Sequence, residues 1–162
     1  MKKIILTLLS VFLIVGFISE HSFAKAAHAH HAKHRVVRKP ALPPIIIANI
    51  DISSQTMNVR VNGWPIAYWK VSTARAGYHT PRGTYRVQRT AKVYFSRKYD
   101  NSPMPNSVFF YGGFAIHGTG HIKNLGRPAS HGCVRLHPTN AAAFYAMVQR
   151  FGASRTRITL TD

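Results

Sequence analysis

Acidic residues are nearly missing from this chain: 162 residues hold 4 Asp and Glu against 22 Lys and Arg. The resulting formal charge of +18 is too basic for an average soluble enzyme. It predicts attraction to nucleic acid, an anionic membrane or a polyanionic wall. Cysteine is scarcer still. With Cys133 alone, an internal disulfide is impossible and CxxC metal or redox motifs are excluded. There is no internal repeat, and the length suits one ordinary domain rather than two good cores. What is there is 46% hydrophobic and 11% aromatic, too apolar for a disordered cationic tail. The chain folds.

Apolar runs are also short. The longest, Ile4 to Ile18, follows Lys2 and Lys3 and stops before Glu20 and His21. As a helix it would reach roughly 22 Å at ~1.5 Å per residue, short of the ~30 Å hydrocarbon core. Ala24-Lys25-Ala26 has the small-x-small spacing of a cleavage site, with Ser22-Phe23-Ala24 as a second candidate. Residues 1–26 therefore read as a signal peptide cut near Ala26, with a retained anchor as the alternative. Export to the periplasm or cell envelope is expected. Residues 27–43 form a His/Lys/Arg-rich segment with almost nothing to bury, which predicts a flexible linker. Its histidines have no spacing that imposes a tetrahedral metal site, so a solvated tether is expected there.

The catalytic candidates lie in residues 44–162, which read as mainly β. Ile45 to Ile52 is a β-branched run, and Thr56 to Val61 alternates with period 2. Asn62-Gly63 is a strong hairpin signal leading into a strand over Trp64–Ser72. Thr80-Pro81-Arg82-Gly83 is turn chemistry before a strand at Thr84–Gln88, and residues 96–107 read as an ordered loop near a cleft. A short buried strand, Phe114-Ala115-Ile116, stops at His117, and Arg157–Thr161 closes the chain as a strand. Pro138 suits the first helical position and Gly152 the exit of the one convincing helix, Asn140 to Arg150. Its apolar face is expected to be Ala143, Phe144, Met147 and Phe151. The pattern predicts a β-sandwich-like domain with one principal helix packed on it.

A lone cysteine in an exported protein is either buried and inert or a reactive thiol. Cys133 sits among His131, Gly132 and Arg135, polar and glycine-bearing surroundings that favour the reactive reading. Nearby positive charge raises the thiolate fraction, and backbone N–H groups around Gly132 and Cys133 are candidates to face an oxyanion. Three histidines are near in sequence. His117, at the end of a strand, is the preferred base, with His131 as an oxyanion-side support and His121 as a solvated loop residue. A zinc site from these groups is disfavoured, since no carboxylate lies nearby to orient it.

The block Ile116-His-Gly-Thr119 followed by Leu125-Gly-Arg-Pro-Ala-Ser-His-Gly-Cys-Val-Arg-Leu136 closely resembles the catalytic signature of the L,D-transpeptidases of the YkuD type. The likeness extends to Ile50-Asp-Ile-Ser, Val71-Ser-Thr, Tyr78-His-Thr-Pro-Arg-Gly-Thr-Tyr and Ser102-Pro-Met-Pro, and so covers residues 45–162. It implies a mixed-strand sandwich-like fold with Cys133 as nucleophile and His117 as proton acceptor and donor. The Gly118 carbonyl becomes a third member, with Gly132 and His131 as oxyanion-side support. Arg135, Ser130 and Thr119 fall to substrate binding. The resemblance further implies attack on peptidoglycan tetrapeptide stems, release of D-Ala from a thioester, and 3→3 crosslinks, with no metal and no organic cofactor. Water as acceptor would make the protein an L,D-carboxypeptidase, and a lipoprotein lysine would make it an anchoring enzyme. The His-before-Cys order differs from papain-like proteases, and sortases lack this spacing. An acidic wall polymer is the expected partner of the charge, nucleic acid is not expected, and a monomer is. Rival classes are a cationic envelope or nucleic-acid binder, indifferent to loss of Cys133, and a metal carrier using the histidine tail.

Overall fold

The structure is a computed structural model that describes residues 43–162. The expected signal peptide and nearly all of the expected linker, with its histidines, lie outside the described residues. No described helix is long and apolar enough to cross a membrane.

Three strands open the domain as a meander: β1 (Ile46–Asp51), β2 (Thr56–Val61) and β3 (Trp64–Lys70). Between β2 and β3, Asn62 (φ 50°) and Gly63 (φ 84°) both lie in the left-handed region, as a two-residue turn of this twist requires. Strand β4 (Gly83–Arg86) follows. The last strand of the chain, β11 (Thr156–Thr161), inserts between β1 and β4, parallel to β1 and antiparallel to β4. The five-stranded order is thus β3-β2-β1-β11-β4. Alternation sends Ile46, Ala48, Ile50, Met57, Val59, Ile158 and Leu160 into the core. Arg60, Asn58, Asn49 and Arg157 face out.

A second sheet has the order β10-β9-β8-β5. It comprises β5 (Arg89–Ala91), β8 (Ser107–Tyr111), β9 (Phe114–Gly118) and β10 (Val134–Leu136). Here β9 and β10 run parallel, while β8 pairs antiparallel with both β9 and β5. Its inner face supplies Val108, Phe110, Ile116, Val134 and Leu136 to the same core. Its outer face carries a smaller cluster of Met104, Phe109 and Ala115, against which Cys133 packs. The expected loop at 96–107 instead contains a small hairpin, β6 (Phe95–Ser96) with β7 (Ser102–Pro103), because two-residue strands leave no period to read.

Helix α1 (Pro138–Phe151) packs on β9 and reaches β1 and β8. Pro138 takes the first turn and His137 caps it, its Nδ1 accepting from the Thr139 N–H at 3.3 Å. Gly152 at φ 98° ends it. The buried face is Ala141, Phe144 and Val148, with Tyr145, Met147 and Phe151 partly covered. Ala143, expected on that face, is exposed. Ala141, Phe144 and Val148 follow the i, i+3, i+7 spacing of one stripe, whereas Ala143 lies about 100° from Phe144 around the helix. The outcome is a mainly β, mixed-strand sandwich closed by one principal helix.

Candidate active site

Register decides which side chains meet. Across the parallel β9/β10 pair, Val134 lies beside Ile116 and Arg135 beside His117. Val134 and Ile116 point into the core, so Arg135 and His117 share the opposite face, and Cys133, two residues before Arg135, shares it too. Cys133 is therefore a diagonal neighbour of His117, a spacing of roughly 7–8 Å between strand positions that their two side chains can bridge. All three line a cavity of about 1060 Å³ on the outer face of the four-stranded sheet. The β6–β7 hairpin, through Ser96, Lys98 and Tyr99, forms part of its wall.

His117 is 5% exposed, and its Nδ1 lies 2.7 Å from the Gly118 carbonyl oxygen. A carbonyl only accepts, so Nδ1 carries the proton and Nε2 presents its lone pair. Burial lowers the imidazole from 6.5 to about 4; the Gly118 carbonyl opposes this and the Arg135 charge adds to it. His117 is thus neutral at pH 7. The Cys133 thiol is pushed up by burial, against a backbone hydrogen bond from Ala115 and the positive charge of Arg135. At rest the pair is neutral thiol and neutral imidazole. Such a pair generates its thiolate when a proton moves to Nε2, not beforehand.

The loop before Cys133 is built from hydroxyls and one obligatory glycine. Ser130, fully buried, donates from Oγ to the Cys133 carbonyl at 2.7 Å and accepts from the Gly132 N–H at 2.9 Å. Gly132 sits at φ 129°, and a Cβ there would lie 2.4 Å from the Phe114 ring and 2.7 Å from the His79 carbonyl. The Gly132 N–H, expected to face an oxyanion, is held by Ser130 Oγ instead, the nearer acceptor within the tight loop. Ser130, expected to bind substrate, ties the Cys133 loop together and also lines the cavity. Thr80 does the same from outside: its Oγ1 donates to the Gly132 carbonyl at 2.9 Å and accepts from the Ala74 N–H at 3.0 Å. Thr119 is 5% exposed, and its hydroxyl accepts from the His121 N–H at 3.1 Å while still lining the cavity.

His131 stands on the cavity wall between two tyrosines. Its ring stacks on Tyr99 at 4.3 Å and meets Tyr78 edge-on at 4.6 Å. Arg75 lies over Tyr78 and Lys98 over Tyr99, so a file of rings is flanked by two cations. Some loss of solvent, then Arg75, Arg135 and Lys98, hold the imidazole below its ordinary value. Arg135, half-buried, donates to the Ala129 carbonyl at 3.2 Å and still reaches the cavity. No acidic side chain lines this cavity among the described residues. The residues sequence reading missed are Tyr99 and Thr80 in these roles. Thr80 lay within the recognised Tyr78-His-Thr-Pro string, whereas nothing local marked Tyr99. No three His, Cys, Asp or Glu residues come together to hold a metal among the described residues.

Residues 45–158 match the YkuD family, the L,D-transpeptidase catalytic domain. Among solved structures, the L,D-transpeptidase (Yku) from Stackebrandtia nassauensis is 26% identical with a TM-score of 0.65, covering 80% of this chain and 62% of that one. An L,D-transpeptidase from Mycobacterium smegmatis is 24% identical with a TM-score of 0.64, over 73% of this chain and 59% of that one. L,D-transpeptidase 3 from Mycobacterium tuberculosis, solved with a faropenem-derived adduct, is 19% identical with a TM-score of 0.64, over 74% of this chain and 61% of that one. The chain therefore spans about three fifths of the length of these structures. No protein of curated function matches it. With the match running through both sheets, the helix and the cavity that joins Cys133 to His117, this chain belongs to the family of L,D-transpeptidase catalytic domains.

Proposed function

We propose that the protein is a cysteine-dependent L,D-transpeptidase acting on peptidoglycan tetrapeptide stems. The observation that carries this is the placement of Cys133, His117 and Arg135 on one face of the β9/β10 pair, at a cavity without acids. In the acylation step the Cys133 proton passes to His117 Nε2 as the sulfur attacks the carbonyl of the third, diamino-acid residue. The imidazolium returns that proton to the amine of D-Ala, the peptide bond breaks, and a thioester remains. The Gly118 carbonyl supports the transient imidazolium, which explains why so buried a histidine can still take a proton. An amine of a neighbouring stem then attacks the thioester, loses its proton through His117, and restores the thiol with a 3→3 crosslink.

Arg135, with Lys98 and Arg97 on the rim, suits the carboxylates that a tetrapeptide stem carries at its end. The Ser130–Gly132 loop holds the sulfur in place, and His131, braced by Tyr78 and Tyr99, shapes the acyl-donor wall. Trimming by water and attachment to a lipoprotein lysine use the same thioester and differ in the acceptor alone. Such a substrate requires export to the envelope, in keeping with the reading of residues 1–26.

The test is incubation of the reduced protein with tetrapeptide muropeptides, followed by mass spectrometry. Free D-Ala and 3→3 dimers are expected, with Cys133→Ala giving neither. Absence of both products from the wild-type chain overturns the reading. The Mycobacterium tuberculosis relative's faropenem-derived adduct suggests a companion measurement: a penem should add its mass to the wild-type chain and not to Cys133→Ala.

A further inference from the structure

The outer face of the five-stranded sheet, away from the catalytic cavity, carries an arrangement the reaction does not use. Register places Arg60 beside Ile47, Ile47 beside Arg157, and Arg157 beside Arg86. Three exposed guanidinium groups thus form one row across four strands, on the order of 14 Å long at ~4.8 Å per strand. Arg86 and Arg157 are direct cross-strand partners, a like-charge pairing that destabilises a sheet by itself. Beside them, a hollow of about 250 Å³ is lined by Thr84, Arg86, Ser154 and Arg157 among others.

No acidic side chain among the described residues neutralises the row. Asp162 is engaged by Arg82 at 2.6 Å, in the one salt bridge among the described residues. Asp51 lies four positions along β1 from Ile47, and its Oδ1 accepts from the Ser53 hydroxyl and the Ser54 N–H. Asp100 lies in the β6–β7 turn. The next row of the same face has different chemistry. Tyr68 lies beside Asn58, and Asn58 beside Asn49, with Ile66 also exposed on β3. An aromatic ring offers a flat apolar surface to a sugar ring, and amides pair with hydroxyls in both directions.

From these two rows we infer that this face binds an anionic glycan strand, a sugar polymer bearing carboxylates, and holds it while the cavity on the other sheet works on stem peptides. Charge complementarity selects that occupant. Residues 27–42 contain Lys33, Arg35, Arg38 and Lys39 and no acid, and a second copy brings the same +18, so both are repelled. A neutral polymer leaves the arginine row unmatched. The choice of a wall glycan rests on the proposed action on peptidoglycan; the arginine row itself does not.

The experiment uses the full chain carrying Cys133→Ala and glycan strands stripped of their stem peptides by an amidase, so the cavity has no ligand. Binding is measured against the same strands after carboxyl reduction and against random duplex DNA. Arg86→Gln with Arg157→Gln should weaken binding to the carboxylated strands about tenfold, the loss of two exposed charge contacts. Reduced strands should bind weakly to all variants. Turnover of a soluble tetrapeptide by the double variant with Cys133 intact should equal wild type, which separates this site from the catalytic one. Unchanged glycan binding in the double variant overturns the inference, as does tighter binding of DNA through the same two arginines. A dimer that dissociates on the same substitutions also overturns it, since the face would then be a protein interface. Loss of D-Ala release from the wild-type chain bears on the proposed reaction and not on this surface.

Discussion

At the scale of single residues, the protonation of the proposed reactive pair is set by burial more than by charge. Cys133 has Arg135 two positions away, yet the loss of water around the sulfur dominates and its thiol lies above the ordinary value of 9.0. The thiol is then overwhelmingly protonated at pH 7. Iodoacetamide should therefore alkylate Cys133 more slowly than free cysteine at pH 7, with the rate still climbing at alkaline pH where that of free cysteine has levelled off; fast labelling at neutrality would mean a preformed thiolate. His117, lowered to about 4, is the complementary half. The proposed base is competent only when neutral, so kcat/KM should rise as pH climbs through about 4 and then hold level toward neutrality. A rising limb centred near 6.5 instead would place the base in water. Sequence showed which residue types were present here. It did not show the direction of either shift, because burial depends on β8, Met104 and the hairpin folding over the site.

At the scale of elements, one loop and one helix carry the sharpest expectations. Gly132→Ala would drive a Cβ into Phe114 and the His79 carbonyl while keeping φ at 129°. Neither obstacle is a flexible chain end. Destabilisation on the order of 2–4 kcal/mol is expected in urea unfolding, together with loss of turnover. Alanine matching wild type would mean that the loop rearranges. Helix α1 gives a paired test of its corrected face: Ala143→Glu should leave the melting temperature nearly unchanged, whereas Ala141→Glu should prevent cooperative folding. Equal effects would place the helix in another rotation. Strands β1, β2 and β11 and this helix were legible because each is half-buried and shows a clear period or a cap, and the mostly exposed β3 because Asn62-Gly63 announces its start. Strands β8 and β10 were not, since β8 is buried on both faces and β10 has three residues. The β6–β7 hairpin was read as an ordered loop by a cleft, without its pairing.

At the scale of the whole molecule, the buried neutral His117 links stability to acid. Its folded value of about 4 lies below the 6.5 of an unfolded chain. Between those values the unfolded state binds a proton that the folded state refuses, so stability rises with pH by about 1.4 kcal/mol per unit and is lost as the pH drops. Above 6.5 the two states match and the curve is flat. Asp51 and Asp162 are lowered from 3.8 and so act below this window. Urea midpoints of wild type should drop from pH 6.5 to 4, and those of His117→Gln should drop less. Parallel curves would assign the acid sensitivity elsewhere.

The composition, the single cysteine and the His-Gly-Thr and Ser-His-Gly-Cys-Val-Arg strings determined the family, the nucleophile and base expected, and the mainly β character. These are chemical and periodic facts that a linear string can carry. The tertiary structure alone decided that the Gly132 N–H is held by Ser130, that His131 stands between two tyrosines, and that Ala143 faces water. It also set Arg60, Arg157 and Arg86 in one row, from strands 26 to 97 residues apart in sequence. Register is a property of pairing between distant segments, fixed by which faces the shared core buries. A +18 scattered along the chain therefore becomes a directed surface only once two sheets have closed over that core.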